Sequence, residues 1–297
     1  MGSARWNPSD WATHSRATST QTRQQIFSQS GMHDDLNPLK IAMRESVDSA
    51  ANPNSTPIIL AVDETGSMGM LAEVIIKKGL GTIMEEIYER KPVTDPHIMC
   101  MGIGDAFSDR APLQVTQFEA SIVLADQVKN IYLEGNGGGN GGESYLLAHY
   151  FAAFKTKCDA QVKRKRKGYL FTIGDEAPHQ KLTRDQVKAF IGDDVEADLS
   201  AKDLLGILSP NWEVFHLIVK PAYSEAVTKW TELLGERAIQ VSDHEKLAEV
   251  IVSTMQVIEG HDADKVIKSW SGDTSLVVQK AVGGLTKSAT AAGVHRL

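Results

Sequence analysis

The chain has 297 residues, 42% hydrophobic and 23% charged, with a formal net charge of −7. That length admits one large domain or two modest ones around a substantial core, and the acidic balance argues against a whole-surface attraction to nucleic acid or to an anionic membrane. No apolar run approaches the roughly 20 residues of a membrane span, and the first residues lack a secretory hydrophobic stretch, so the expected location is cytoplasmic.

Residues 1–56 are rich in Ser, Thr, Gln and Asn and close on the two prolines of "ANPNSTP". They read as an N-terminal extension in which Trp6 and Trp11 either pack back on the domain or anchor a partner. Strands and helices then alternate. "IILAV" (58–62) is a continuous apolar run, as in a strand buried on both faces. Leu71, Val74, Ile75, Leu80, Ile83, Met84 and Ile87 recur at helical spacing within 70–90. Residues 97–104 read as a second strand and "KNIYLEG" (129–135) as a third. A helix over 143–157 leads to a fourth strand (168–175), a charged helix (183–192) and a fifth strand (212–219). Tyr223, Val227, Trp230 and Leu234 form a helical stripe, 237–241 is a short strand, and the apolar face Leu247, Val250, Ile251, Met255, Ile258 marks a last helix. Residues 261–297 form a C-terminal extension, one more helix or an arm. Strands alternating with helices predict a doubly wound, mostly parallel α/β sheet over residues 57–260.

In such a sheet ligands bind beyond the carboxyl ends of the strands, and three loops there are rich in oxygen donors. "DETGS" offers Asp63, Thr65 and Ser67 at alternate positions, suited either to hold a hard cation such as Mg2+ or to cap the following helix. "EGNGGGNGGES" packs six glycines between Glu134 and Glu143 and ends in Asn140, Glu143 and Ser144; it lacks the Gly-Lys-Ser/Thr of a phosphate loop. "GDEAPH" places Asp175 at a strand end with His179 close behind. Cys100 and Cys158 suggest neither a disulfide framework nor a zinc site and read as core residues in a reducing compartment. "KRKRK" (163–167) has no interleaved aromatics and reads as a solvated turn.

Together these loops resemble the von Willebrand factor A (vWA) family with its metal-ion-dependent adhesion site (MIDAS). The likeness is to intracellular and microbial members that read D-x-T-G-S-M, then G-G-G-D-x-P-E, then D-x-P-P-H. Here the middle motif carries Asn140 for the aspartate and Gly142 for the proline. The resemblance implies a Rossmann-like fold and one Mg2+ or Mn2+ held by Asp63, Thr65, Ser67, Asn140 and Asp175; sequence leaves open whether Asn140, Ser144 or Glu143 is the middle loop's ligand, with Asn140 expected first and Ser144 next. It also implies a protein partner whose Asp or Glu completes the shell, near Glu64, Glu143, Ser144 and His179. Function would then be metal-dependent binding in adhesion or assembly, without turnover, and with no membrane or nucleic-acid partner. A AAA+ ATPase and assembly or virion proteins are the partner classes it suggests, the latter with a virion-associated location. The alternatives are a metal-dependent hydrolase using Asp63, Asp175 and His179, or a phage or other assembly component built on such a domain.

Overall fold

The structure is a computed structural model that describes residues 4–65, 68–134, 142–219 and 222–286, with backbone alone at 69 and 70. Its centre is a six-stranded sheet of β1 (Thr56–Asp63), β2 (Pro96–Ile103), β3 (Leu113–Val115), β4 (Gly168–Gly174), β5 (Trp212–Val219) and β6 (Ala238–Val241). In space the order is β6-β5-β4-β1-β2-β3, parallel throughout except for β3, which runs antiparallel to β2 at the edge. Read from β3 this is the 3-2-1-4-5-6 order of a doubly wound sheet. The fold is thus α/β of the vWA and Rossmann-like kind.

Both faces of the sheet are covered, and the alternation along β1 shows how. Ile58, Leu60 and Val62 enter one apolar cluster with Leu71, Leu80, Ile83 and the helix Leu247–Ile258. Ile59 and Ala61 enter the other with the helices Tyr145–Phe154 and Ala201–Leu208. Successive side chains of a strand point to opposite faces, so a central strand covered on both sides must be apolar at every position.

The N-terminal segment packs onto the first of these layers. Trp11, Ile26, Phe27 and Leu36 are buried in its cluster, and Trp6 stacks on Tyr88 at 5.0 Å. The helix expected over 70–90 is interrupted by a wide turn at Ile75–Gly79. Such a turn breaks the regular ladder, and the buried His14 ring bonds the Ile76 carbonyl through Nε2 at 3.0 Å. At the other end, helices Ala263–Lys268 and Gly272–Val282 bury Val266, Val278 and Val282 in the same layer. The Arg90 guanidinium lies over the Trp270 ring at 3.5 Å. Cys100 and Cys158 are buried, unpaired thiols. The lysine-arginine run, expected as a turn, begins in the last turn of the helix Asp159–Arg164; Lys163 and Arg164 meet Asp48, Arg166 meets Glu259 and Lys167 meets the buried Glu213.

One expected strand is corrected. Residues 129–134 form no ladder; the third sheet position belongs to β3, three residues too short to stand out in the sequence. The alternation arises because Ile131 is buried in, and Leu133 packs against, the apolar layer beneath, which needs no partner strand. The buried Gln114 side chain of β3 accepts from Tyr132 N–H at 2.9 Å and donates to the Tyr132 carbonyl at 2.8 Å, so one amide does the work of a backbone rung. It also donates to Glu64 Oε2 at 3.2 Å. Gln114→Leu would leave these buried groups unpaired, at about 1–3 kcal/mol each. Urea unfolding should show a loss of at least about 2 kcal/mol; an unchanged midpoint would remove the rung from the account.

Candidate metal centre

Strand register brings the acidic loops together. Asp63 pairs with Ile103 and Val62 with Ile173, so Asp105 and Asp175, each two residues past those partners, leave the sheet at the same end as Asp63. The order reverses between β1 and β4, which opens the crevice where doubly wound sheets bind ligands.

Asp63 is fully buried. Its Oδ1 accepts from the Thr65 N–H at 2.9 Å and the Thr65 hydroxyl at 2.7 Å, and its Oδ2 accepts from the Tyr145 hydroxyl at 2.9 Å. The first pair is the local turn that aspartate favours. Gly174 makes room for the last contact, since a Cβ there would overlap the Tyr145 hydroxyl and stand 2.9 Å from Asp63 Oδ2. Gly174→Ala should cost on the order of 3 kcal/mol as overpacking. Adding Tyr145→Phe should recover part of the lost melting temperature, and no recovery would show that the strain lies elsewhere.

Two further loops are stitched to this corner. Glu143 N–H donates to the Ala177 carbonyl at 3.0 Å, and His179 N–H donates to the Glu143 carbonyl at 3.4 Å. Ser144 Oγ accepts from Ala106 N–H at 2.8 Å, and Ser144 N–H donates to the Gly104 carbonyl at 3.2 Å. His179 Nε2 meets Asp105 Oδ1 at 2.8 Å. Asp105 and Asp109 were not anticipated. Asp105 is fully buried and its N–H donates to Asp109 Oδ2 at 2.7 Å. The available signal was "GIGDAFSD", an aspartate two residues past a buried strand. Gly104 permits the arrangement, because its Cβ would press on the Asp109 carboxyl.

The electrostatics are those of acids crowded away from water. Burial, reinforced by the charge of Asp175, pushes the Asp63 carboxyl up to about 7. Burial first, then the charges of Asp63 and Asp105, push Glu143 up to about 9. Glu64, over Gly102, is held well above the ordinary range by burial and by Asp63. No lysine or arginine ion pair reaches Asp63, Glu64 or Glu143 among the described residues. Glu143 is 4% exposed and its Oε2 has no hydrogen-bond partner.

Of the residues expected to hold an ion, Asp63, Thr65 and Asp175 are therefore assembled at one sheet end, whereas Ser67 and Asn140 lie outside the described residues. Of those expected to face a partner, Glu64, Glu143 and Ser144 are buried, which turns their side chains inward. His179 is bonded to Asp105 and packs edge-on against the exposed Phe107 ring at 4.8 Å. Among the described residues no three His, Cys, Asp or Glu side chains form a metal cage by themselves.

No protein-family model and no curated protein matches this chain. Among solved structures, it is similar to the pilus adhesin SpaC from Lactobacillus rhamnosus GG in its open conformation, at 10% identity and a TM-score of 0.47 over 72% of this chain and 31% of the adhesin. It is also similar to the ArnB paralog VWA2 from Sulfolobus acidocaldarius, at 14% identity and a TM-score of 0.28 over 69% of this chain and 46% of that one. The chain thus spans about a third of the adhesin's length and under half of the VWA2 chain. Overlaps this loose add nothing to the strand order and side-chain geometry described above.

Proposed function

We propose that the chain is a metal-dependent protein-binding module of the MIDAS type. Asp63, Thr65, Ser67, Asn140 and Asp175 would hold Mg2+ or Mn2+, and an aspartate or glutamate of a protein partner would complete the shell. The observation that carries this reading is the burial of Asp63, Glu64 and Glu143 at the carboxyl end of β1 with no lysine or arginine ion pair among the described residues. Carboxylates kept from water need a proton or a cation, and the donors here are all hard oxygens, the set that suits Mg2+ and Mn2+. Because the described acids form no cage alone, the reading requires hydroxyl donors as well.

When bound, the ion supplies a positive charge that an incoming carboxylate can meet. The chain's own residues do the preparatory work. Thr65 and Tyr145 fix both oxygens of Asp63, and the Asp105–His179 bond ties the loop after β2 to the loop carrying Asp175. Adhesion or assembly is the setting such a module suits, with a AAA+ ATPase or assembly and virion proteins as partner classes. The hydrolase reading rests on the same Asp105–His179 pair, which could orient a base. It stands second because that pair already engages Nε2. Titration calorimetry of Mg2+ and Mn2+ into the chelator-treated chain is the test. One site is expected, and no heat of binding would overturn the reading.

A further inference from the structure

The carboxylate that the middle motif lacks at Asn140 has a replacement within the same loop. We propose that Glu143 is itself a ligand of the ion, through the oxygen that has no other partner; this rests on the metal-binding reading above. Glu143 is 4% exposed, and its Oε2 is a buried acceptor with no hydrogen bond. A buried acceptor left without a partner needs a physical cause, and a bound cation is one of the few that fit a carboxylate. A water is a poorer one, because the oxygen is closed to a water-sized sphere whereas a bare dication is much smaller.

Its neighbours are those of the ion rather than of solvent. Its neighbour Ser144 is bonded to the Gly104 carbonyl and the Ala106 N–H, on either side of Asp105, at the sheet end that Asp63 shares. The backbone is held from both sides, by the Ala177 carbonyl and the His179 N–H, so the side chain is presented from a fixed point. Glu143 thereby supplies a third carboxylate beside Asp63 and Asp175. A further carboxylate ligand strengthens the hold on Mg2+ or Mn2+, so a partner's acid joins a site that is already occupied.

The test uses Mn2+ alone on the full chain after chelation. The wild-type chain is expected to take up one Mn2+. Glu143→Gln is expected to weaken it at least about tenfold, the least that losing even an outer partner costs. Its melting temperature in chelator should be no lower than that of the wild type. Asn140→Asp added to Glu143→Gln is expected to restore binding to within about threefold, returning one carboxylate to the loop. Unchanged Mn2+ affinity in Glu143→Gln would overturn the proposal while leaving the metal site intact. Weaker binding together with a lower melting temperature in chelator would assign Glu143 a structural role and overturn it too. A wild-type chain that binds no Mn2+ would instead remove the reading on which the proposal rests.

Discussion

Asp63→Asn should lose metal binding and gain stability in its absence. Asparagine keeps an oxygen to accept from Thr65, and the Tyr145 hydroxyl can turn to accept from the new amide. What disappears is the charge. Loss of an outer partner of a metal ligand costs 10–100-fold in affinity, so loss of the ligand's charge should cost at least ~100-fold. Without metal the balance reverses. Burial holds the Asp63 carboxyl at about 7, so at pH 8 the folded chain carries a buried charge that an unfolded chain would carry in water. A tenfold difference in proton affinity between folded and unfolded chain corresponds to about 1.4 kcal/mol, and removing the charge should stabilise the chelated protein by on the order of 3 kcal/mol. Calorimetry and melting of the two proteins in chelator read both effects. If Asp63→Asn lowers stability in chelator as well, Asp63 is a structural cap and the site has another explanation.

The chelated protein should also lose stability as the pH rises from 6.5 to 9. Asp63 is raised to about 7 and Glu143 to about 9. Over that window the native state holds protons that the unfolded chain has released. Stability falls with pH wherever the native state binds more protons. The drop should be on the order of 3 kcal/mol, or roughly 5–10 °C in melting temperature for a chain of this size. Buried His149, lowered to about 4, and His216, also lowered, act in the opposite sense and lower down, losing stability as the pH falls below the ordinary histidine range. Their contribution fades within about a pH unit above the ordinary histidine range, so it offsets only the first part of the fall. Saturating Mg2+ should flatten the slope, because the cation replaces the protons. A melting temperature indifferent to pH in chelator would mean these acids are not jointly buried, and a slope that Mg2+ leaves unchanged would mean the cation does not bind among them.

Sequence and structure agree where burial on both faces writes a continuous apolar run. "IILAV" and "WEVFHLIV" are legible as central strands for that reason, and with them the doubly wound order. β3 was not legible, because three residues carry no pattern, while 129–134 shows a strand-like alternation only because Ile131 and Leu133 face the apolar cluster. In the candidate site, Asp63, Thr65 and Asp175 stood out because a carboxylate or hydroxyl at the end of an apolar run breaks the pattern. Tyr145 did not, since an aromatic at the start of an apolar helix looks like core until register sets its hydroxyl against Asp63. Gly102, Gly104 and Gly174 were equally silent, because their role is to leave space for Glu64, Asp109 and Tyr145, and a missing Cβ acquires meaning only beside its neighbours.

The central claim is that a divalent cation sits at the carboxyl end of β1. Crystals of the full chain soaked in Mn2+, with diffraction recorded on the low-energy side of the iron edge, test it directly through the anomalous signal of manganese. The expected result is a single strong peak bounded by Asp63, Thr65 and Asp175. No peak there, or a peak elsewhere with Asp63 still closed against Thr65 and Tyr145, would contradict the account.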